Sequence, residues 1–343
     1  MIRFECDYAE GAHPAVMELL QQTNLEQTPG YGEDVWCEKA RSLIREACCA
    51  PDADVHFVVG GTQANLIVVA ALLKPYEGVI SASTGHIEVH ETGAVEATGH
   101  KVLAVPEKEG KISAEQVEEV LKGYEKSPTP DHVVKPGMVY ISHPTEYGTL
   151  YTLKELEELS GVCRKYGVPL FLDGARLAYA LAAEGNDIQL PDLARLCDVF
   201  YIGGTKTGCL FGEAVVIPDP ANGKGFRMMM KQRGGMLAKG RLLGVQFFAM
   251  FRDGLYREIG SHADGEAMRI KKALKEKRIS LYYESTTNQQ FFVLTEAQYA
   301  KLSGRYSLSD NGPVEGGRLV RACTSWATKT EDVDRFVADI KEL

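Results

Sequence analysis

The sequence predicts an α/β fold, with a mainly parallel central sheet in a large domain and a smaller α+β domain after it. Three observations predict this. From about residue 55 to residue 202, short apolar runs alternate with longer segments of helical spacing, the pattern of successive βαβ units. Several of the runs stop at glycine pairs or at an aspartate, as strands do where a parallel sheet opens onto a crevice. After Pro218 the rhythm gives way to longer helices and then to short strand-like segments. The 343 residues suffice for two domains, expected at 1–245 and 246–343.

Each element has its own signal. Residues 1–13 read as irregular, and a short helix is expected near 14–22. Thr28-Pro-Gly-Tyr-Gly-Glu-Asp34 carries too many turn residues to be helical, whereas Trp36–Cys49 spaces Leu43, Ile44 and Ala47 along one side. Val55–Val59 reads as a strand and Gln63–Leu73 as a helix, then Val79–Ser81 as a strand and His86–Ala97 as a helix. Lys101–Val105 is a strand, and Ser113-Ala-Glu-Gln116 is a capping box opening a helix to Tyr124. Met138–Ser142, Pro169–Leu172 and Val199–Ile202 are strands, with helices at Thr152–Tyr166 and Leu177–Ala183. Phe211–Ile217 reads as an added antiparallel strand. Residues 224–275 are expected to be long helices; strand-like Leu281-Tyr-Tyr283, Gln290–Leu294 and Leu319–Cys323 follow, and a last helix starts near Glu331.

Composition excludes several classes. The net charge is −9 and no stretch is densely basic, so nucleic acid and anionic membranes lack an electrostatic pull on this chain. No apolar run approaches the length of a bilayer span, and residues 1–20 contain no signal-peptide core. Cys6, Cys37, Cys48, Cys49, Cys163, Cys197, Cys209 and Cys323 are scattered and form no CxxC, which fits free thiols and a cytoplasmic location.

The chemistry-bearing residues stand at strand ends. Gly60-Gly61-Thr62-Gln63-Ala64-Asn65 leads into a helix whose N–H groups either are capped locally or hold an anion such as phosphate. It is not GxGxxG, and Thr205 stands where a P-loop requires glycine, so nicotinamide and ATP readings lose their support. His86 and His90 fall at i, i+4, but HxExH is not the zinc-protease HExxH, and no metal is expected. The remaining readings are a satisfied histidine or an imidazole laid over an aromatic cofactor. Asp173-Gly-Ala-Arg176 closes another strand; Arg176 either neutralises Asp173 or is free to grip a carboxylate while Asp173 pairs with a ring nitrogen. Lys206, in Gly203-Gly-Thr-Lys206, is either an exposed turn lysine or an amine in a crevice that acts as a nucleophile. Phosphate cradle, imidazole, carboxylate and amine are together the groups that pyridoxal 5′-phosphate (PLP) requires.

Six stretches then carry a resemblance: Pro29–Asp34, Gly60–Asn65, His86–Ala94, Thr145-Glu-Tyr-Gly-Thr149, Asp173-Gly-Ala-Arg-Leu177 and Gly203–Lys206. The chain resembles the threonine aldolase / β-eliminating lyase family of fold type I, aspartate aminotransferase-like PLP enzymes, nearest the low-specificity L-threonine and phenylserine aldolases. The resemblance implies that Lys206 forms the Schiff base with PLP, Asp173 partners the pyridinium and His86 stacks on the ring. It implies a phosphate site at Gly61, Thr62 and Gln63, a substrate-carboxylate site at Arg176 and Arg321, and Tyr31 and Lys239 reaching a neighbouring subunit's site in a homodimer or homotetramer. Cys6 stands where the family has a carboxylate-binding serine, and Glu146 where some members have a histidine. The implied reaction is retro-aldol cleavage of L-threonine, L-allo-threonine or a related β-hydroxy-α-amino acid to glycine and an aldehyde. The alternative is PLP-dependent β-elimination or transamination of another amino acid. The complete Lys206, Asp173, Arg176 and His86 set argues against a non-catalytic binding module.

Overall fold

A computed structural model describes residues 1–343. In chain order the elements are β1 (Ile2–Arg3), α1 (Pro14–Gln22), α2 (Val35–Ala47), β2 (Asp54–Val58), α3 (Gly61–Leu72), β3 (Glu77–Ala82), the single turn α4 (His86–Val89), β4 (Val102–Val105) and α5 (Ala114–Glu125). There follow β5 (Lys135–Ser142), α6 (Leu153–Tyr166), β6 (Leu170–Asp173), α7 (Leu177–Ala182), α8 (Leu190–Leu196), β7 (Val199–Gly203) and β8 (Glu213–Ile217). The remainder is α9 (Phe226–Gln232), α10 (Arg241–Arg252), α11 (Leu255–Glu276), β9 (Gln289–Leu294), α12 (Glu296–Ser303), β10 (Tyr306–Ser307), β11 (Ser309–Val314), β12 (Gly317–Cys323) and α13 (Thr330–Lys341).

Seven strands make the central sheet in the order β2-β8-β7-β6-β5-β3-β4. β4, β3, β5, β6 and β7 are mutually parallel; β8 runs antiparallel to both β7 and β2. The apolar strands are buried on both faces, and alternate side chains serve different cores. Val139, Ile141, Leu170, Leu172, Phe200 and Ile202 join one core with α2, α6, α7 and α10, while Met138, Tyr140, Phe171, Val199 and Tyr201 join the other, with α3 and α9. This is why the runs read as continuous rather than alternating hydrophobics. The capping box at Ser113/Gln116 forms as expected, and a second closes at Thr152/Glu155.

The expected helix His86–Ala97 is only one turn long. Thr92 and Gly93 adopt left-handed φ of 52° and 70°, which ends any continuous helix there. The sequence reading also missed α8, α12 and the short strands β1, β10 and β11. A third core, with Phe4, Ile270, Leu274, Phe292, Val320 and Phe336, lies in the C-terminal unit. α11 contributes Tyr256, Ile259 and Ala263 to the first core and Ile270, Ala273 and Leu274 to the third. Because α11 serves both of these cores, we propose that the large and small domains part within it, C-terminal to the expected 245/246. The chain's first residues dock on the small unit, since β1 pairs with β10.

Candidate active site

Five strand-end loops converge on one cavity of about 310 Å³ lined by Gly61, Thr62, His86, Glu146, Asp173, Lys206 and Glu213, among others. The turns after β6 and β7 meet backbone to backbone. A Cβ on Gly174 would overlap the Tyr201 carbonyl, and one on Gly203 would overlap that of Ala175. The glycines of the Asp-Gly-Ala-Arg and Gly-Gly-Thr-Lys stretches thus let Asp173 and Lys206 approach the same space.

Asp173 is buried at the cavity floor. Its Oδ2 accepts hydrogen bonds from the Tyr140 hydroxyl at 2.6 Å and from Asn65 Nδ2 at 3.2 Å, and its Oδ1 accepts the Ala175 N–H at 2.9 Å. Burial alone would raise its pKa. The charge on His86 and the Tyr140, Tyr201 and Ala175 donors outweigh burial and hold it below the ordinary value, so it stays ionised. Asn65 Nδ2 also donates to Glu91 Oε1 at 2.7 Å, and the same oxygen lies 2.7 Å from His86 Nδ1. Burial pulls the His86 pKa down, but the Glu91 hydrogen bond and the charges of Glu146 and Asp173 raise it overall. Nδ1 is occupied by Glu91, so Nε2 is the nitrogen left for chemistry.

Gly60, the N-cap of α3, contributes no side-chain cap, which leaves the first-turn N–H groups of Gly61, Thr62 and Gln63 for an anion. The Gln63 side chain does not face the cavity; it accepts from Val59 N–H at 3.1 Å and donates to the Arg233 carbonyl at 3.4 Å. His90 ends its helical turn exposed, its ring 5.5 Å from that of His86, and no group of three or more His, Cys, Asp or Glu side chains converges as metal ligands.

Arg176 does not pair with Asp173. Its Nε and Nη2 grip Asp7, at 2.7 Å to Oδ2 and 3.0 Å to Oδ1, and Asp7 also accepts from Asn288 Nδ2 at 2.9 Å. The bidentate face of the guanidinium is therefore taken, and Nη1 is the nitrogen left over for a ligand. Arg321 donates from Nη1 to Gln289 and from Nη2 to the Glu5 carbonyl, both at 2.9 Å, which ties it to the segment carrying Cys6. Tyr31 and Lys239 lie elsewhere on the chain. Tyr31 lines a separate recess with Arg41 and Met236, its ring 4.4 Å from Lys231 Nζ, and Lys239 sits beside Pro29 and Arg241.

The sequence reading assigned no role to Asp7, Asn65, Glu91, Tyr140 or Glu213. Glu91 and Asn65 stood inside recognised stretches, but their partners are non-local. Tyr140 carried only the signal of a polar tip two residues before a strand end.

Residues 5–297 match the family model described as beta-eliminating lyase. The chain belongs to the β-eliminating lyase family. Within reach of this family lies a threonine aldolase of Leishmania major, 45% identical, with a TM-score of 0.96 over 100% of this chain and 99% of its own. The low specificity L-threonine aldolase of Pseudomonas aeruginosa is 29% identical over 99% of this chain and 97% of its own. An aspartate aminotransferase of Thermus thermophilus shares the fold, with a TM-score of 0.74 at 14% identity over 100% of this chain and 91% of its own. A β-eliminating lyase of this fold is a PLP-dependent enzyme, and the donor set fits that cofactor. An ionised carboxylate, an imidazole, uncapped helix N–H groups and an amine border one cavity of suitable size.

Proposed function

We propose that the chain is a PLP-dependent aldehyde-lyase that cleaves L-threonine, L-allo-threonine or a related β-hydroxy-α-amino acid to glycine and an aldehyde. The observation that carries the reading is the cavity itself, where Lys206, Asp173 and His86 meet beside the open N-terminus of α3. PLP would be held by Lys206 Nζ at its aldehyde, Asp173 at its ring nitrogen, His86 at its ring face and the first-turn N–H groups of α3 at its phosphate. When bound, it supplies an electron sink for the charge left at Cα when Cα–Cβ breaks.

The chain's own residues do the rest. Arg176 Nη1 and Arg321 orient the substrate carboxylate, with Cys6 beside them in place of a hydroxyl. His86 Nε2 takes the proton of the β-hydroxyl, its imidazolium stabilised by Glu91; Glu146 lines the same cavity and holds water as a second base. A proton returned to Cα completes glycine. The protein incubated with PLP and L-threonine should release glycine and acetaldehyde in equal amounts. Pyruvate and ammonia from L-serine without glycine would mark a β-eliminating enzyme instead, and a 2-oxo acid product a transaminase.

Tyr31 and Lys239 line recesses other than their own chain's cavity, and we assign them to the site of a second copy. Tyr31 is 45% exposed, and Met17, Val35 and Met228 expose apolar side chains on α1, α2 and α9. The homodimer or homotetramer so formed, with shared active sites and no nucleic-acid or membrane partner, is placed in the cytoplasm, where its eight free thiols stay reduced. No helix is long and apolar enough to cross a membrane. Co-expressing the Lys206→Ala and Tyr31→Ala chains should give hybrid assemblies more active than either parent. A fully active monomer by light scattering overturns the shared site.

A further inference from the structure

We propose that Glu213 is a positioning residue for the cofactor phosphate, held as a neutral carboxylic acid whose proton is donated to the anion at the N-terminus of α3. This rests on the PLP reading above and deepens it. Glu213 opens β8, in register with Val58 at the end of β2 and with Gly203 at the end of β7. Those two strands run on into Gly60–Thr62 and into Gly204–Lys206. Glu213 therefore sits between the anion cradle and the lysine, and it lines the cavity with both.

Its surroundings suit an acid better than a carboxylate. The side chain is 3% exposed. Its Oε2 accepts the Gly204 N–H at 3.0 Å. The neighbouring Thr205 hydroxyl accepts the Gly212 N–H at 3.0 Å. The backbone donor is neutral and takes Oε2, which leaves Oε1 for a proton. The titratable groups around it are Lys206 and Asp173 across the cavity, Tyr201 on β7, Cys209 in the β7–β8 loop and Tyr256 on α11. The end of β2 and the start of α3 bring only Val58, Val59, Gly60, Gly61 and Thr62 to it. Burial raises its pKa to about 8, against the pull of Thr205, Gly204 and Lys206 in the other direction. An ionised Glu213 would repel a phosphate in the cradle, whereas a neutral one adds a hydrogen-bond donor beside the first-turn N–H groups of α3. Phosphate binding is therefore linked to a proton.

The test uses cofactor-free protein with inorganic phosphate as the probe. Calorimetry at pH 8.5 in two buffers of different ionisation enthalpy should show uptake of roughly half a proton or more per phosphate bound. From about pH 8 upward, wild-type affinity should fall by up to ~10-fold per pH unit relative to Glu213→Gln, whose amide keeps both an acceptor and a donor. Glu213→Ala should bind phosphate more weakly than wild type at pH 7. The proposal is overturned by an absence of proton uptake, by wild-type and Glu213→Gln profiles that run parallel, by tighter phosphate binding in Glu213→Ala, or by no phosphate binding in a protein that takes up PLP. Failure of wild-type protein to take up PLP in an absorbance titration would instead sink the cofactor reading.

Discussion

Lys206→Ala should lack the violet-edge absorbance band expected of wild-type protein with PLP, and its kcat/KM on a β-hydroxy-α-amino acid should fall at least ~10³-fold. The loss should be chemical rather than structural. Lys206 is only half-buried, and its ammonium makes no salt bridge; it is the backbone carbonyl of Lys206 that accepts the Tyr179 hydroxyl, at 2.6 Å. Far-ultraviolet circular dichroism and the unfolding midpoint of cofactor-free protein should therefore match wild type. Lys206→Arg separates charge from nucleophilicity: a guanidinium keeps the positive charge but stays protonated and does not condense with an aldehyde. It too should remain colourless with PLP. A variant at this position that retains the band and turnover would remove Lys206 from the chemistry.

Much of this site is legible in the amino-acid sequence, for a physical reason. A parallel sheet buried on both faces requires uninterrupted apolar strands, so its strand ends stand out, and the groups just beyond them must border one crevice. Gly61, Thr62, His86, Asp173 and Lys206 all stood at such ends, and the structure gathers them at a single cavity. The hydrogen-bonding partners of those groups were not legible. Asp7 and Arg176 meet across most of the large domain, and Asn65 reaches Glu91 and Asp173 from helix α3. Spacing along the chain holds no record of such pairs. Neither alternative at Arg176 foresaw its partner, the Asp7 carboxylate on a segment that reads as irregular. The His86 helix failed for a local reason: the left-handed residues Thr92 and Gly93 break it and allow the Glu91 side chain to turn back onto the imidazole.

Asp7→Ala should destabilise the protein by roughly 3–5 kcal/mol, because it leaves the Arg176 guanidinium buried without its counter-charge. The Asp7 side chain is fully buried and joins three separate pieces of chain: the N-terminal segment, the turn after β6 through Arg176, and the small unit through Asn288. Burial would raise its pKa, but Arg176, Lys206 and the hydrogen bonds bring it down to about 2, against 3.8 for the free side chain. The sign follows from the folded state binding the proton less readily than the unfolded state. The stabilisation is complete above about pH 4 and fades as pH falls toward 2. Urea unfolding of wild type across that range should therefore show an acid-side loss that Asp7→Asn lacks. Asp7→Asn should itself lie between wild type and Asp7→Ala at neutral pH, because its amide oxygen still accepts from Arg176 without supplying a charge. The same variants also reach the substrate: Asp7 holds the Nε and Nη2 side of Arg176, and a guanidinium released from it no longer presents Nη1 in one place. KM should rise in Asp7→Asn while the PLP band persists, and an Asp7→Ala protein as stable as wild type would show that the pair is not the clamp between the N-terminal segment and the sheet.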